Sequence, residues 1–261
     1  KSTNGGTNWT TVRGSLTNNS ATDVQVTTSG VVYAAINSAS TNPGISRSPD
    51  VVTWTSITPA GFPTVYGRIV IGIAPSNQNA VYFLVQGTNG TNGVDQINGH
   101  QIWKYTYVSG DGSGAGGTWA NKGVSLPNQT GATNNAEFST QTGYDMAVQV
   151  KPDNENFVII GGVNLYKTAD FSVATPTWTR LGGYATAANY GLYLNHHPDQ
   201  HSGFFRPGSN VIFYSGHDGG LTKTSDVTAG TVAWSVLNNG YTTSQFYTIA
   251  IDHATSGDNV I

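Results

Sequence analysis

Six histidines occur in the 261 residues, and four of them, His196, His197, His201 and His217, fall within 22 residues of one another. They are interleaved with Asp199 and Asp218. Imidazoles and carboxylates at this density can bind a divalent metal ion, or pass protons as general acid and base. The ligands of such a metal would be Asp199, His201 and His217. Asp199 and His201 are one residue apart, and alternate residues of an extended strand share a face. His217 and Asp218 precede Gly219-Gly220, where a turn would bring loop residues toward the same place. The competing reading is structural, because imidazoles and carboxylates also hydrogen-bond loops together where strand ends crowd.

A glycosidase needs a carboxylate pair at a defined separation. Only two glutamates are present, and Glu155 lies in a Pro152-Asp153-Asn154-Glu155-Asn156 turn. The candidate catalytic acids are therefore Asp145, Asp199 and Asp218. The candidate binding residues are His196, His197, Asp199, His201, His217, Asp218 and Tyr241, since exposed tyrosines stack on sugar rings. The five arginines (Arg13, Arg47, Arg68, Arg180, Arg206) match no carboxylate-binding triad, which argues against a sialidase.

The elements that must hold these residues are β-strands. Charged residues make up only 10% of the chain, while 37% is hydrophobic and 11% aromatic, with 33 glycines. That composition suits folded, turn-rich β structure rather than disorder. The net charge of −3 and the lack of a basic patch exclude a nucleic-acid partner. No apolar run nears the ~20 residues of a membrane span, so no membrane insertion is expected. The absence of cysteine excludes disulfides and thiolate metal sites.

A β-rich run ending in a polar turn and a tryptophan recurs along the chain. It reads Ser2-Thr3-Asn4-Gly5-Gly6-Thr7-Asn8-Trp9, then Ser48-Pro49-Asp50 to Trp54, Thr168-Ala169-Asp170 to Trp178, and Thr224-Ser225-Asp226 to Trp234, with a degenerate copy from Tyr105 through Ser109-Gly110-Asp111-Gly112 to Trp119. The closing tryptophans are 45 to 65 residues apart, which suits one propeller blade per unit. Upstream of each turn lie two apolar runs joined by a Pro/Asn/Asp/Gly turn, as in Ile69–Pro75 and Ala80–Leu84, a hairpin pattern. The turn aspartates Asp50, Asp170 and Asp226, with Asn4, read as acceptors for backbone N–H groups. Trp9, Trp54, Trp178 and Trp234 read as packing against neighbouring sheets. Residues 87–99 and 109–117 read as long flexible loops.

Ser2-x-Asn4-x-Gly6-x-x-Trp9 and Ser48-x-Asp50…Trp54 resemble the Asp-box of BNR-type propellers, a group containing sialidases, family 74 xyloglucanases and the sortilin-type domain. The stretch from Asn195 through Ser225-Asp226 to Gln245-Phe246-Tyr247 resembles large exported proteins of Bacteroidetes-type bacteria. These resemblances imply a secreted or cell-surface location. The fold expected is all-β: a β-propeller segment with four-stranded blades, one domain over 1–261 and part of a longer chain. Its partial blades are 1–20 and 245–261, and its blades 21–66, 67–143, 144–199 and 200–244. The expected role is a glycan- or protein-binding or structural module; the alternative is a glycoside hydrolase or metal-assisted hydrolase of extracellular polysaccharide.

Overall fold

The structure is a computed structural model that describes residues 1–13, 21–87, 99–127, 138–185 and 190–240, with the backbone of 251–252 and 259–260. It is all-β. Four antiparallel sheets of four strands follow one another along the chain, each with its strands side by side in sequence order. The first holds β1 (Ala21–Val26), β2 (Val32–Ile36), β3 (Gly44–Ser48) and β4 (Thr55–Ser56). The second holds β5 (Tyr66–Ile73), β6 (Ala80–Gly87), β7 (Gln101–Tyr107) and β8 (Gly117–Asn121). The third holds β9 (Ala147–Lys151), β10 (Asn154–Gly161), β11 (Leu165–Thr168) and β12 (Thr179–Gly182). The fourth holds β13 (Gln200–Phe205), β14 (Phe213–His217), β15 (Gly220–Thr224) and β16 (Ser235–Val236). A fifth pair, β17 (Ile251–Asp252) and β18 (Asn259–Val260), follows. Among the described residues no helix is long and apolar enough to cross a membrane.

The sheets are propeller blades. Their first strands pack against one another in turn, β1 on β5, β5 on β9 and β9 on β13. Side chains stitch the first two: Thr22 Oγ1 donates to the Ile69 carbonyl at 3.0 Å, and the Ile71 amide donates to Asp23 Oδ2 at 2.8 Å.

The period-2 geometry of a strand explains why β6 and the Phe157–Ile160 stretch of β10 are apolar on both faces. In β6 the side chains of Val81, Phe83 and Val85 enter a core shared with the first blade, beside Tyr33 and Ile45. Ala80, Tyr82 and Leu84 enter a core shared with the third blade, beside Val158 and Ile160. In β10, Val158 and Ile160 face back to that core, while Phe157 and Ile159 join Phe213, Val227 and Trp234 of the fourth blade. Each central strand thus serves two cores.

The polar turns between the third and fourth strands bond as their residue types dictate. Asp50 Oδ1 accepts the Val52 and Thr53 amides at 2.8 and 2.6 Å. These two backbone N–H groups, Thr53 first, hold its carboxyl down at about 2. Asp111, Asp170 and Asp226 take the amide and hydroxyl of Ser113, Ser172 and Thr228 in the same way. Asn4 Oδ1 takes the Asn8 amide at 2.9 Å. Residues 109–117, expected to be a flexible loop, are instead fastened by these bonds and by Tyr105, whose hydroxyl donates to the Gly112 carbonyl at 2.8 Å.

The tryptophans divide. Trp234 is buried and its indole N–H donates to the Leu181 carbonyl of the preceding blade at 2.8 Å. Trp178 does likewise to Ser125 Oγ at 3.2 Å, and Trp54 is half-buried. Trp9 departs from expectation: it is 76% exposed, because no described sheet lies beside its turn.

Phe83 has no exposed surface. Phe83→Ala is expected to cost about 3–5 kcal/mol in denaturant unfolding, whereas Trp9→Ala should change stability by less than about 0.5 kcal/mol. Equal losses would show that the apolar alternation does not set the blade interfaces.

Candidate functional site

Three chain segments meet at one end of the third and fourth blades. Asp145 precedes the first strand of the third blade, β9, and Asp199 precedes β13, the first of the fourth. Asp218 sits in the β14–β15 turn, which antiparallel pairing of Gln200 with His217 places beside the start of β13. His201 is on β13 itself. The Asp218 amide donates to the Asp199 carbonyl at 3.2 Å, the Asp199 amide to the Val163 carbonyl at 2.8 Å and the Val163 amide to the Ser139 carbonyl at 2.8 Å, linking the segments through the β10–β11 turn.

The backbone here is locally forced. Gln141, Thr142, Asn195 and Asp199 all have φ between 46° and 65°, a left-handed conformation costing of order 1 kcal/mol for a residue with a Cβ. Asp199 therefore does not lie on an extended strand with His201, as its spacing implied. It reaches the cluster through this turn instead.

Asp145 has no exposed surface, and neither of its carboxylate oxygens receives a bond from an N–H or hydroxyl group. Its electrostatic neighbours are the Asp199 and Asp218 carboxylates and His201. Burial first, and then the Asp199 charge, push the Asp145 carboxyl well above the usual carboxylate range. Asp199 is half-buried and raised as well, by burial and then by the Asp218 charge. Gln141 Nε2 donates to Asp199 Oδ1 at 2.8 Å. On the solvent side, His201 Nε2 lies 2.6 Å from Asp218 Oδ1. His201 Nδ1 lies 3.8 Å from Asp145 Oδ1. The exposed Tyr144 ring meets His201 edge-on at 5.1 Å. A hollow of about 460 Å³ opens beside His201, lined by Ser202, His217, Leu221, Leu237 and Asn238.

The other histidines form a separate group. His196 stacks between His217 and Trp234, with ring centroids 4.6 and 4.4 Å away. The Gly183 amide donates to His196 Nδ1 at 3.0 Å, so a neutral ring carries its proton on Nε2. A Cβ at Gly182 would collide with this ring. His217 pairs with Thr222 Oγ1 at 3.2 Å, and His197 lies over His217 at 6.1 Å. Burial lowers His196 to about 3, helped by His217, and lowers His217 to about 4, helped by His197.

The expected metal set of Asp199, His201 and His217 is thus split, since His217 turns into the aromatic stack. Among the described residues no group of three or more His, Asp or Glu side chains is arranged to hold a metal ion. Asp145, Asp199, Asp218 and His201 do come together. Tyr241 lies outside the described residues. Gln141, Tyr144 and Trp234 complete the two groups and carried no functional signal in the sequence; only the turn geometry of 141–145 reveals the first two.

Similar folds occur among solved structures. The GH74 xyloglucanase of Xanthomonas campestris superposes with a TM-score of 0.50 at 14% identity, over 82% of this chain and 30% of that one. A GH74 enzyme of Niastella koreensis gives 0.47 at 18% identity, over 78% and 28%. The GH93 α-L-arabinofuranosidase of Fusarium graminearum gives 0.41 at 8%, over 82% and 56%. The chain spans less than a third of the two GH74 enzymes. At these identities the likeness is one of propeller fold. No protein-family model matches the chain, and no curated protein is significantly similar to it.

The two groups make opposite demands on pH. His196 and His217 are held neutral in the fold, so below about 6.5 the unfolded chain takes up protons first. Their contribution is present above that pH and is lost as pH falls. The Asp145–Asp199 pair keeps a proton that the unfolded chain has released above about pH 4, so its contribution fades as pH rises. Stability measured by denaturant should therefore fall by on the order of 2 kcal/mol from pH 6.5 to pH 4. His196→Gln, which keeps an acceptor for the Gly183 amide, should flatten that acid limb. An unchanged slope would show that the stack does not titrate with unfolding.

Proposed function

We propose that this chain is a segment of an exported, Asp-box β-propeller that hydrolyses extracellular glycan, with its acid–base centre at Asp145, Asp199, Asp218 and His201. One observation carries the reading: two carboxyls raised by burial and by neighbouring charge, Asp145 and Asp199, cluster with the exposed Asp218–His201 pair, and His201 lines an open hollow. A raised carboxyl close to a second, exposed carboxylate is the pairing that glycosidic hydrolysis uses. Asp199, half-buried and raised by burial and the Asp218 charge, is the acid that protonates the leaving oxygen. Asp218, exposed and paired with His201, is the carboxylate that acts at the anomeric side. Asp145 touches no solvent and acts through Asp199 as a positioning residue.

The turns at Asp50, Asp111, Asp170 and Asp226 support the Asp-box reading, since each carboxylate caps its own turn between the third and fourth strands. A longer parent chain and a secreted or surface location go with that family. The Xanthomonas structure, named as a xyloglucanase, makes β-glucans the first substrates to try. A glycan-binding module without turnover is the second reading. It is favoured by the exposed rings of Tyr144 and Tyr190, 66% and 67% accessible, which can stack on sugars.

The test is a reducing-end assay of the full-length protein on soluble β-glucans, xyloglucan and arabinan. Asp199→Asn and Asp218→Asn should each lower kcat about 100-fold or more with the fold intact. Turnover unchanged in both variants would move catalysis elsewhere. Saturable binding with no product from the wild type would leave the binding module.

A further inference from the structure

The Asp145 carboxyl sits where water does not reach, yet it must exchange a proton if the pair is to be reset. Its neighbours offer two ways out. One is Asp199, the carboxyl whose charge acts most strongly on it. The other is His201, whose Nδ1 lies 3.8 Å from Asp145 Oδ1. His201 is itself ordered by Asp218: at 2.6 Å the Nε2–H donates to the carboxylate, so the lone pair of a neutral ring is left on Nδ1, facing Asp145. The edge of the Tyr144 ring bears on the imidazole, at a centroid distance of 5.1 Å, and fixes its plane.

We propose that His201 is a proton relay that connects the buried Asp145–Asp199 pair to solvent through Asp218. This rests on reading the cluster as an acid–base centre. In the outward step the O–H bond of Asp145 breaks and leaves its electron pair on oxygen. A new N–H bond forms from the Nδ1 lone pair, producing an imidazolium between the Asp145 and Asp218 carboxylates. The Nε2–H bond then breaks, its electrons return to the ring, and the proton passes to Asp218 and on to water. Nothing is oxidised or reduced. The move from 3.8 Å to hydrogen-bond length needs only a small rotation of a side chain that is 35% exposed.

The charged and titratable groups facing the pair are few. Asp218 and His201 act on both carboxyls, and His197 acts on Asp199. Tyr144 adjoins His201, and Tyr184 feels the Asp199 charge. Arg68 bonds to the Gly143 and Tyr144 carbonyls at 3.1 and 3.0 Å, holding the turn that carries Asp145. His201 opposes the upward push on both acids, so its removal has a defined sign.

The measurement is difference infrared spectroscopy of the full-length protein without substrate, following the carbonyl stretch of protonated carboxyls across pH and after transfer to heavy water. Wild type should show a protonated carboxyl persisting above the ordinary aspartate range, absent in Asp145→Asn. In His201→Gln that band should persist to higher pH and take up deuterium about tenfold more slowly. Asp218→Asn, which leaves His201 in place, should slow the exchange in the same direction. Wild-type titration and exchange in His201→Gln would overturn the relay, as would absence of the band from the wild type. Because no substrate is involved, a relay seen here with no glycan hydrolysis would sink the proposed activity and leave the relay standing.

Discussion

Everything in this molecule depends on strands that are buried on both faces. A strand at the centre of a blade presents alternate side chains to opposite neighbours, so β6 and β10 each help build two cores at once. No blade can bury its apolar surface alone, and the stability of each is a property of the interfaces on either side. The same stacking brings the first strands β1, β5, β9 and β13 next to one another. That is where segments from two blades can contribute to one site, as Asp145 and Asp199 do.

Most buried polar groups among the described residues are matched by partners, and among the carboxylates there is one exception. Lys167, nearly buried, gives its ammonium hydrogens to the Val227 and Ala229 carbonyls of the next blade at 2.8 and 2.5 Å. Lys104 is held by Glu155 and Asn156 across another blade interface. Asp145 is the exception, a carboxyl with no N–H or hydroxyl donor in a site with no exposure. Leaving such a group ionised would cost several kcal/mol, which is why it keeps its proton and why its neighbourhood differs from the tied-down aspartates of the turns. The turn aspartates and Asp145 have one side chain in common and proton affinities displaced in opposite directions, by donors in one case and their absence in the other.

The architecture was legible in the sequence because it is written in local signals. The hairpins around Val81–Val85 and Phe157–Ile160, the turn at Asp50 and the spacing of Trp54, Trp119, Trp178 and Trp234 depend on nearest neighbours and on strand periodicity. The candidate site was half legible. Composition singled out the histidines and Asp145, Asp199 and Asp218, but it could not say which would meet. His196 and His217 are separated from His201 by the direction in which their rings leave the backbone. Asp199 joins the cluster through a φ of 65°, which is not a strand conformation. The exposure of Trp9 has the same origin: its turn forms, but among the described residues no sheet faces it.

Tyr82 shows what the two-sided strands imply for folding. Its ring lies in the core between the second and third blades, and its hydroxyl donates to the Glu155 carbonyl at 2.5 Å. If β6 paired one residue out of step, the whole set of side chains would change faces. Phe83 and the aliphatic residues could exchange cores with little chemical penalty, since both are oily. Tyr82 could not, because its hydroxyl would enter the opposite core with no acceptor, at about 1–3 kcal/mol. A single oxygen therefore acts as a proofreading mark, letting an otherwise symmetrical apolar strand distinguish its left from its right.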